Sequence, residues 1–419
     1  MFDNKAGIIR ECERRNANRR VFKGAVDHKT FFQKIKGDLL VSGYIAGNMT
    51  LLADMIDEYI KREDFPTIVL SNHKSLFDIF RYKQRTGEIH NIVISDSEER
   101  NYHPFYGMSK QQVLYFIRIT AEELGYNVLI DQLLQYASSL LNIIEVSYPV
   151  SLPAMTKLLQ NDDDAISAYA LQKGLSNVIA DNICAHHEAG IILRRVCEKL
   201  EDIFENISAI GEDTQYNFHS GVHKKTAAML FYAVSSDQKI MNSYLKEELF
   251  CVLKQISKII VIADELDFEN GIEDELLNYL LKMKRQGRIE LIYISKNAGE
   301  SINGMHLNFS NIVLSLHDEP AVMEEMSKMF WGTYSCHYPT PTSVKPPAFF
   351  PTVKTAVHWT IAVHERLRVR AEDLYARQGI FLRGSDLLAV KTTANNNIYL
   401  VDSSIFLPKS NLPSTQEVF

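Results

Sequence analysis

The chain is short of several things, and each shortage removes a class. Five cysteines are scattered over 419 residues. None has Cys-x-x-Cys spacing, which excludes a zinc ribbon and a disulfide scaffold, so no structural metal is expected and a reducing compartment fits. No run of about 18 apolar residues occurs, so no transmembrane segment is predicted. The opening Met1-Phe2-Asp3-Asn4-Lys5 has no signal-peptide apolar core. These two absences lead to the expectation of a cytoplasmic protein. Positive charge is also lacking: 45 Lys and Arg stand against 52 Asp and Glu, a net charge of −7. Indiscriminate attraction of DNA over the whole surface is therefore not expected. The basic run Arg14, Arg15, Arg19, Arg20 and Lys23 is a local exception, read as an exposed helix face rather than a nucleic-acid contact. Neither a nucleophile-elbow pattern nor His-Glu-x-x-His is present.

What is present is an ordinary globular composition, 46% apolar and 23% charged, enough for one large α/β domain and one or two smaller units. Lys36–Val41 reads as a short buried strand, and Leu51, Leu52, Met55, Ile56, Tyr59 and Ile60 recur at helical spacing. Between them lies Ser42-Gly43-Tyr44-Ile45-Ala46-Gly47-Asn48-Met49-Thr50. Strand, glycine loop and helix in that order is the context of a phosphate-binding loop. Against Gly-x-x-x-x-Gly-Lys-Thr, Gly43 and Thr50 are in register, Asn48 stands where glycine belongs and Met49 where lysine belongs. Thr50 keeps a hydroxyl for magnesium; Met49 supplies no charge to the phosphates. By analogy with truncated ion pairs, such a loss costs about 2–5 kcal/mol. Gly47 completes the candidate loop.

Lys258-Ile259-Ile260-Val261-Ile262-Ala263-Asp264-Glu265 is an apolar strand ending in two acids. In an ATPase site Asp264 would order magnesium and Glu265 would polarise the attacking water. Lys296 follows the strand 289–295, and Lys74 follows the strand 67–70. Either is a candidate replacement for the absent charge. ATP with magnesium is the cofactor this pattern takes, and the missing lysine weighs against its binding.

The remaining strands are read at 91–95, 227–234 and 311–316, with helices at about 76–86 and 241–255 and another starting at Pro320. Strands alternating with helices imply a doubly wound, mainly parallel sheet. From 109 to 215 the apolar spacing is helical throughout, including one pattern over Ala165–Phe204. Cys184, His186 and His187 fall inside it; adjacent histidines on a helix point about 100° apart, which opposes a shared metal. Prolines 339, 341, 346, 347 and 351 mark a linker or wrapped arm. A helix carrying Trp359, Val363, Leu367 and Val369 is expected next, then short strands at 380–382, 387–391 and 398–401. The domains expected are a lead-in, 1–35; an ATPase-like domain, 36–108 and 216–337; an inserted all-α domain, 109–215; and a Pro-rich linker with a small α+β tail, 338–419.

The order of these landmarks resembles the motor domain of type IV secretion and conjugation coupling proteins, relatives of the hexameric DNA-pumping ATPases of P-loop, RecA-like fold. The resemblance runs over about 36–333. It rests on Lys74 in the turn after the second strand, Asn101-Tyr102-His103-Pro104-Phe105-Tyr106-Gly107, the helical insertion and Asp264-Glu265. Ser295-Lys296 stands where the family has Thr-Gln, and Asp318-Glu319-Pro320 and Phe330-Trp331-Gly332 follow in order. The departures, Asn48, Met49 and Lys296, fall together at the catalytic elements. The resemblance implies a subunit or adaptor of a secretion, conjugation or DNA-translocation machine, peripheral to a membrane complex. Its partners would be proteins of that machine, further copies of itself or a hexameric motor, with DNA as a cargo left open. Three functions stay open at this level: a degenerate ATPase domain with weak or no hydrolysis, an active translocase with a displaced lysine, and a ligand-free scaffold. Arg85, Arg195 and Arg288 are equal candidates for an arginine finger.

Overall fold

A computed structural model describes residues 26–27, 37–42, 49–62, 65–208, 216–222, 226–232, 238–264, 275–295, 309–314, 333–343, 357–367, 387–392 and 398–402, with Ala321, Glu324, Glu325 and Lys328. In chain order the elements are β1 (Val26–Asp27), β2 (Leu39–Ser42), α1 (Met49–Lys61), β3 (Thr67–Ser71), α2 (Lys74–Arg85) and β4 (Ile92–Ser95). A helical run follows: α3 (Lys110–Glu123), α4 (Ile130–Ser147), α5 (Leu152–Leu159), α6 (Asp163–Gln172), α7 (Asn177–Ala185), α8 (His187–Phe204) and the single turn α9 (Phe218–Gly221). Then come β5 (Ala227–Phe231), α10 (Gln238–Gln255), β6 (Ile259–Asp264), α11 (Glu275–Arg285), β7 (Ile289–Ser295) and β8 (Asn311–Leu314). The last elements are β9 (Thr333–Ser343), β10 (Val357–Leu367), β11 (Leu387–Thr392) and β12 (Ile398–Asp402).

The chain forms two compact units, one made of Lys36–Leu39 with Met49–Ser295, the other of the remaining segments. The first holds a parallel sheet in the order β7-β6-β3-β5-β4. Its central strands are buried along their whole length, which is why they read as unbroken apolar runs rather than alternating ones. The chain moves one way across the sheet from β3 to β4 and the other way from β5 through β6 to β7. Right-handed crossovers therefore set α2 on one face and α10 and α11 on the other. The packing agrees: α1 lies against α2, and α10 against α11. The α/β, doubly wound, mainly parallel fold with inserted helices is thus the one observed. Lys83 of α2 ties the first helix pair, with Nζ 3.1 Å from Asp54 and 3.0 Å from Asp57. The entry segment is fixed at β7, where Gly37 N–H donates to Glu290 Oε1 (3.1 Å) and Leu291 N–H to Asp38 Oδ1 (3.1 Å).

Six helices, α3 to α8, fill the chain between β4 and the β5 side of the sheet. The pattern read as one stretch over 165–204 is broken twice. Gly174, at φ +77°, ends α6: its N–H donates to Leu171 O and Leu175 N–H to Ala170 O, a left-handed cap that glycine enters without penalty. His186, at φ −118° and ψ 46°, is the joint between α7 and α8. The two histidines therefore do not lie inside one helix as expected: His186 is the hinge and His187 opens α8. The insertion is rooted in an aromatic cluster. The Phe105 ring lies 5.5 Å from Phe116, 6.0 Å from Phe204 and 5.5 Å from Tyr244.

In the second unit the strand order is β1-β12-β11-β8-β2, with β11 antiparallel to both β12 and β8. A separate antiparallel ribbon pairs β9 with β10. This corrects two expectations. Residues 357–367 are strand, not helix: Trp359, Val363 and Leu367 are four apart, a spacing common to periods 3.6 and 2, and the intervening Ile361 completes the alternation. Pro339 and Pro341 lie within β9 rather than in a linker, which a two-stranded ribbon tolerates because both strands are edges. The strands expected at 387–391 and 398–401 are present as β11 and β12, whereas 380–382 lies outside the described residues, as do the lead-in apart from β1 and the linker beyond Ser343. After Pro320, Ala321, Glu324, Glu325 and Lys328 are helical. No helix among the described residues is long and apolar enough to cross a membrane.

Candidate functional site

The parallel strands of the first unit end together. Ser71 is in register with both Phe231 and Asp264, and Asp264 with Ile294. Their carboxyl ends form the edge at which ligands of open α/β sheets are bound. Asp264 is the last residue of β6 and is completely buried. Its Oδ2 accepts a hydrogen bond from Ser71 Oγ at 2.6 Å. Ser71 Oγ in turn accepts from the His73 backbone N–H at 3.1 Å, which fixes the turn into α2. Ser71 O accepts from Tyr232 N–H (2.9 Å), closing the neighbouring strand end. A buried carboxylate is stable only with such partners.

A magnesium ion prefers hard oxygen donors and keeps several waters, so one carboxylate with a neighbouring hydroxyl is an adequate protein contribution. Asp264 beside Ser71 fits that description. The described residues contain no cluster of three or more His, Cys, Asp or Glu suited to a metal, so they offer no all-protein cage. The phosphate side fits less well. Helix α1 begins at Met49, and its first turn, Met49-Thr50-Leu51-Leu52, carries no basic residue. Its N-terminus offers N–H groups and the helix dipole, without the ammonium that neutralises a triphosphate.

Lys74 opens α2. Its Nζ is 3.4 Å from Glu98 Oε1, and both side chains are about half exposed. It forms a surface ion pair of small energetic weight. Gly43, Gly47, Asn48, Glu265 and Lys296 lie outside the described residues, as does the Thr50 side chain. Among the arginines, Arg288 is committed to structure: it donates to Leu253 O, to Ser257 O (2.9 Å) and to Ile256 O (3.4 Å), capping α10. Arg195 Nη1 donates to Tyr126 Oη at 2.8 Å on the surface, and Arg85 is exposed in the last turn of α2.

Two residues beside the strand ends were not singled out by sequence reasoning. Ser71 was read only as part of a turn, and the 193-residue separation from Asp264 hid the pair. Arg81 of α2 is buried and meets Asp96, Asp78 (2.8 Å), Glu98 (3.0 Å) and Glu99 (3.4 Å). Burial would lower its pKa, but the hydrogen bond and charge of Asp96, with Glu98 and Asp78, raise it. Asp96 Oδ1 also accepts the N–H groups of Glu98 and Glu99, both at 2.9 Å, so Arg81 fixes the loop leaving β4. The acidic run Asp96, Glu98, Glu99 directly after a buried strand was the available signal.

Beyond that loop, Asn101–Gly107 leads into the insertion. Ser95 Oγ donates to Asn101 Oδ1 (2.5 Å), Asn101 Nδ2 to Ile94 O (2.9 Å) and His103 N–H to Tyr216 O (2.7 Å). Phe105 is held at φ 66°, a left-handed conformation rare for a bulky side chain, by the packing of its ring. Beneath it, burial first and the Glu248 charge second push the phenols of Tyr102 and Tyr244 well above the ordinary range.

No protein-family model and no curated protein matches this chain. Solved structures do. The conjugative coupling protein TrwB in complex with a non-hydrolysable GTP analogue is 12% identical, with 96% of this chain and 93% of that chain covered at a TM-score of 0.48. The same protein with ADP and magnesium gives 11% identity, coverage of 94% and 92%, and a TM-score of 0.46. VirB4 of Thermoanaerobacter pseudethanolicus gives 11% identity, coverage of 71% and 83%, and a TM-score of 0.36.

Proposed function

We propose that this chain is a degenerate, non-hydrolysing P-loop ATPase domain of coupling-protein type. It serves as a subunit or adaptor in a conjugation, type IV secretion or DNA-translocation machine, on the cytoplasmic side of a membrane complex. Its working partners are proteins of that machine, other copies of itself or a hexameric motor, and the cargo that such an assembly would move is DNA or protein. The observation that carries the reading is an asymmetry. Asp264 stands buried at the end of β6 with Ser71 on its carboxylate, while α1 opens on Met49 with no cation in its first turn. In this reading Asp264 and Thr50 would hold magnesium and Glu265 would be the remaining catalytic acid. Gly43, Gly47, Asn48 and Met49 form a loop poor at holding phosphate, with Lys74 or Lys296 as partial substitutes. When bound, magnesium would neutralise phosphate oxygens; the chain's own share is to orient Asp264 through Ser71.

One observation favours a second reading, a ligand-free scaffold: the Ser71–Asp264 hydrogen bond already gives the acid a structural role, tying β3 to β6. Calorimetry of magnesium–ATP on the full chain separates the readings, with Thr50→Ala and Asp264→Asn beside it. Under the leading reading wild-type affinity is no tighter than about millimolar and falls further in both variants. Micromolar binding, abolished by either substitution and accompanied by turnover that Glu265→Gln removes, would overturn it in favour of an active translocase. Complete indifference to ATP, with both variants active in the assembled machine, would leave the scaffold.

A further inference from the structure

Helices α1 and α2 both begin at the carboxyl edge of the parallel sheet. The first leads down into the start of β3 at Thr67, and the second leaves the end of β3 at Ser71. They lie side by side, clasped by Lys83 of α2 between Asp54 and Asp57 of α1. At 1.5 Å per residue, Lys74 stands about 13.5 Å above Lys83 on α2, and Met49 stands about 12 Å above Asp57 on α1. Lys74 therefore opens its helix level with the turn of α1 that has no basic residue.

The Lys74 ammonium is already engaged. Its Nζ is 3.4 Å from Glu98 Oε1. Glu98 is not a loose partner. Its Oε2 is 3.0 Å from Arg81 Nη1, and its backbone N–H donates to Asp96 Oδ1 at 2.9 Å. Arg81 and Asp96 are themselves buried and paired with each other. A carboxylate fixed from below in this way belongs to a network rather than to an isolated surface pair. A phosphate arriving at Lys74 meets it twice: Glu98 competes for the ammonium, and its negative charge repels the ligand. Glu99 carries the same charge on the same loop and also reaches Arg81, at 3.4 Å, but Glu98 is the one set on Lys74.

We propose that Glu98 is an internal inhibitor of the candidate nucleotide site, a resident counter-ion that occupies Lys74 in place of a phosphate. This rests on the reading of Lys74 as a substitute for the absent loop lysine. The test titrates the full chain with magnesium–ATP by calorimetry, comparing wild type, Glu98→Gln, Glu99→Gln and the double variant Glu98→Gln/Lys74→Met. Glu98→Gln removes the charge and keeps a side-chain oxygen for Arg81; circular dichroism checks each fold, and Glu98→Ala takes its place should it fail. Glu98→Gln should bind about two- to fivefold tighter than wild type, Glu99→Gln should bind as wild type does, and the gain should vanish in the double variant. No gain in Glu98→Gln, including no binding in either protein, overturns the proposal. So does an equal gain in Glu99→Gln, which would reflect net charge alone, or a gain that survives Lys74→Met. Micromolar binding by wild type would instead overturn the degenerate-site reading, and the ratio of Glu98→Gln to wild type would still decide the role of Glu98.

Discussion

Replacing Ser71 by alanine isolates the contact on which the candidate site turns. The substitution deletes a 2.6 Å hydrogen bond onto a buried carboxylate and the acceptor of the His73 N–H at 3.1 Å. A hydrogen bond to a charged group contributes about 1.5–3 kcal/mol and a neutral one about 0.5–1.5 kcal/mol. The expected loss is therefore about 2–4 kcal/mol. With a urea dependence of about 3 kcal/mol/M, the unfolding midpoint should fall by about 0.7–1.3 M, followed by far-UV circular dichroism. Asp264→Asn is the matched control. Its Oδ1 still accepts from Ser71 while the buried charge is gone, so it should be neutral or stabilising. The reasoning fails if Ser71→Ala leaves the midpoint unchanged. It fails equally if Asp264→Asn costs as much as Ser71→Ala, because the charge rather than the hydroxyl contact would then hold the strand ends together.

Arg81→Met should destabilise the first unit by about 3–5 kcal/mol, since it strands the buried Asp96 carboxylate; a double-mutant cycle with Asp96→Asn should recover most of that loss in urea unfolding. In α8, Gly190→Ala would place a Cβ 3.0 Å from the Tyr136 ring and hydroxyl. This displaces the phenol from its 2.7 Å hydrogen bond to Asp163, and thermal unfolding should register a loss of about 1–3 kcal/mol. Stability should also decline on the alkaline side. Burial raises the phenols of Tyr59, Tyr102, Tyr136, Tyr216 and Tyr244, and takes Tyr279 to about 12. Groups whose folded pKa is raised stabilise fully below their unfolded value, about 10 for tyrosine, and that stability is lost as pH rises towards and through the folded values. Urea midpoints equal at pH 9 and pH 11 would contradict this, and tyrosinate absorbance should rise together with unfolding.

The parts of the fold legible in sequence are those where a local pattern has one structural solution. The apolar runs 67–70 and 259–263 are too short for buried helices and are bounded by polar turns, so they could only be central strands. Leu52, Met55, Ile56 and Tyr59 have helical spacing without a period-2 alternative, and all are buried on α1. Trp359, Val363 and Leu367 satisfied both periods, and the partner strand that decided between them lies elsewhere in the chain. Of the site, Asp264 was legible because a buried strand that ends in an acid breaks the local apolar pattern. Ser71 was not, because only the strand register brings it to Asp264. Arg81 looked like any charged helix residue, and its burial depends on a loop that begins 15 positions later. The loop Gly43–Asn48 was read from motif alone.

The pairing of Ser71 with Asp264 bears on what the site still does. A buried carboxylate and hydroxyl are a poor way to join two strands: an apolar pair of similar volume is commonly as stable or more so. The flanking residues of β6, Ile262 and Ala263, are themselves apolar and fully buried, so the acid stands out from the strand that carries it. Sequence and stability disagree at this one strand end, and such disagreements concentrate at functional sites. At Met49 the opposite holds. An apolar residue sits at the start of α1, where a phosphate-binding loop would carry its cation, and it brings no local conflict. A chain shaped as a scaffold alone would have no use for the cost at Asp264, and a working ATPase would need the charge that Met49 lacks. The combination of a retained acid and a lost base is what a degenerate ATPase domain predicts, and it is why substitutions on the magnesium side of the site should change what binding remains more than substitutions on the phosphate side.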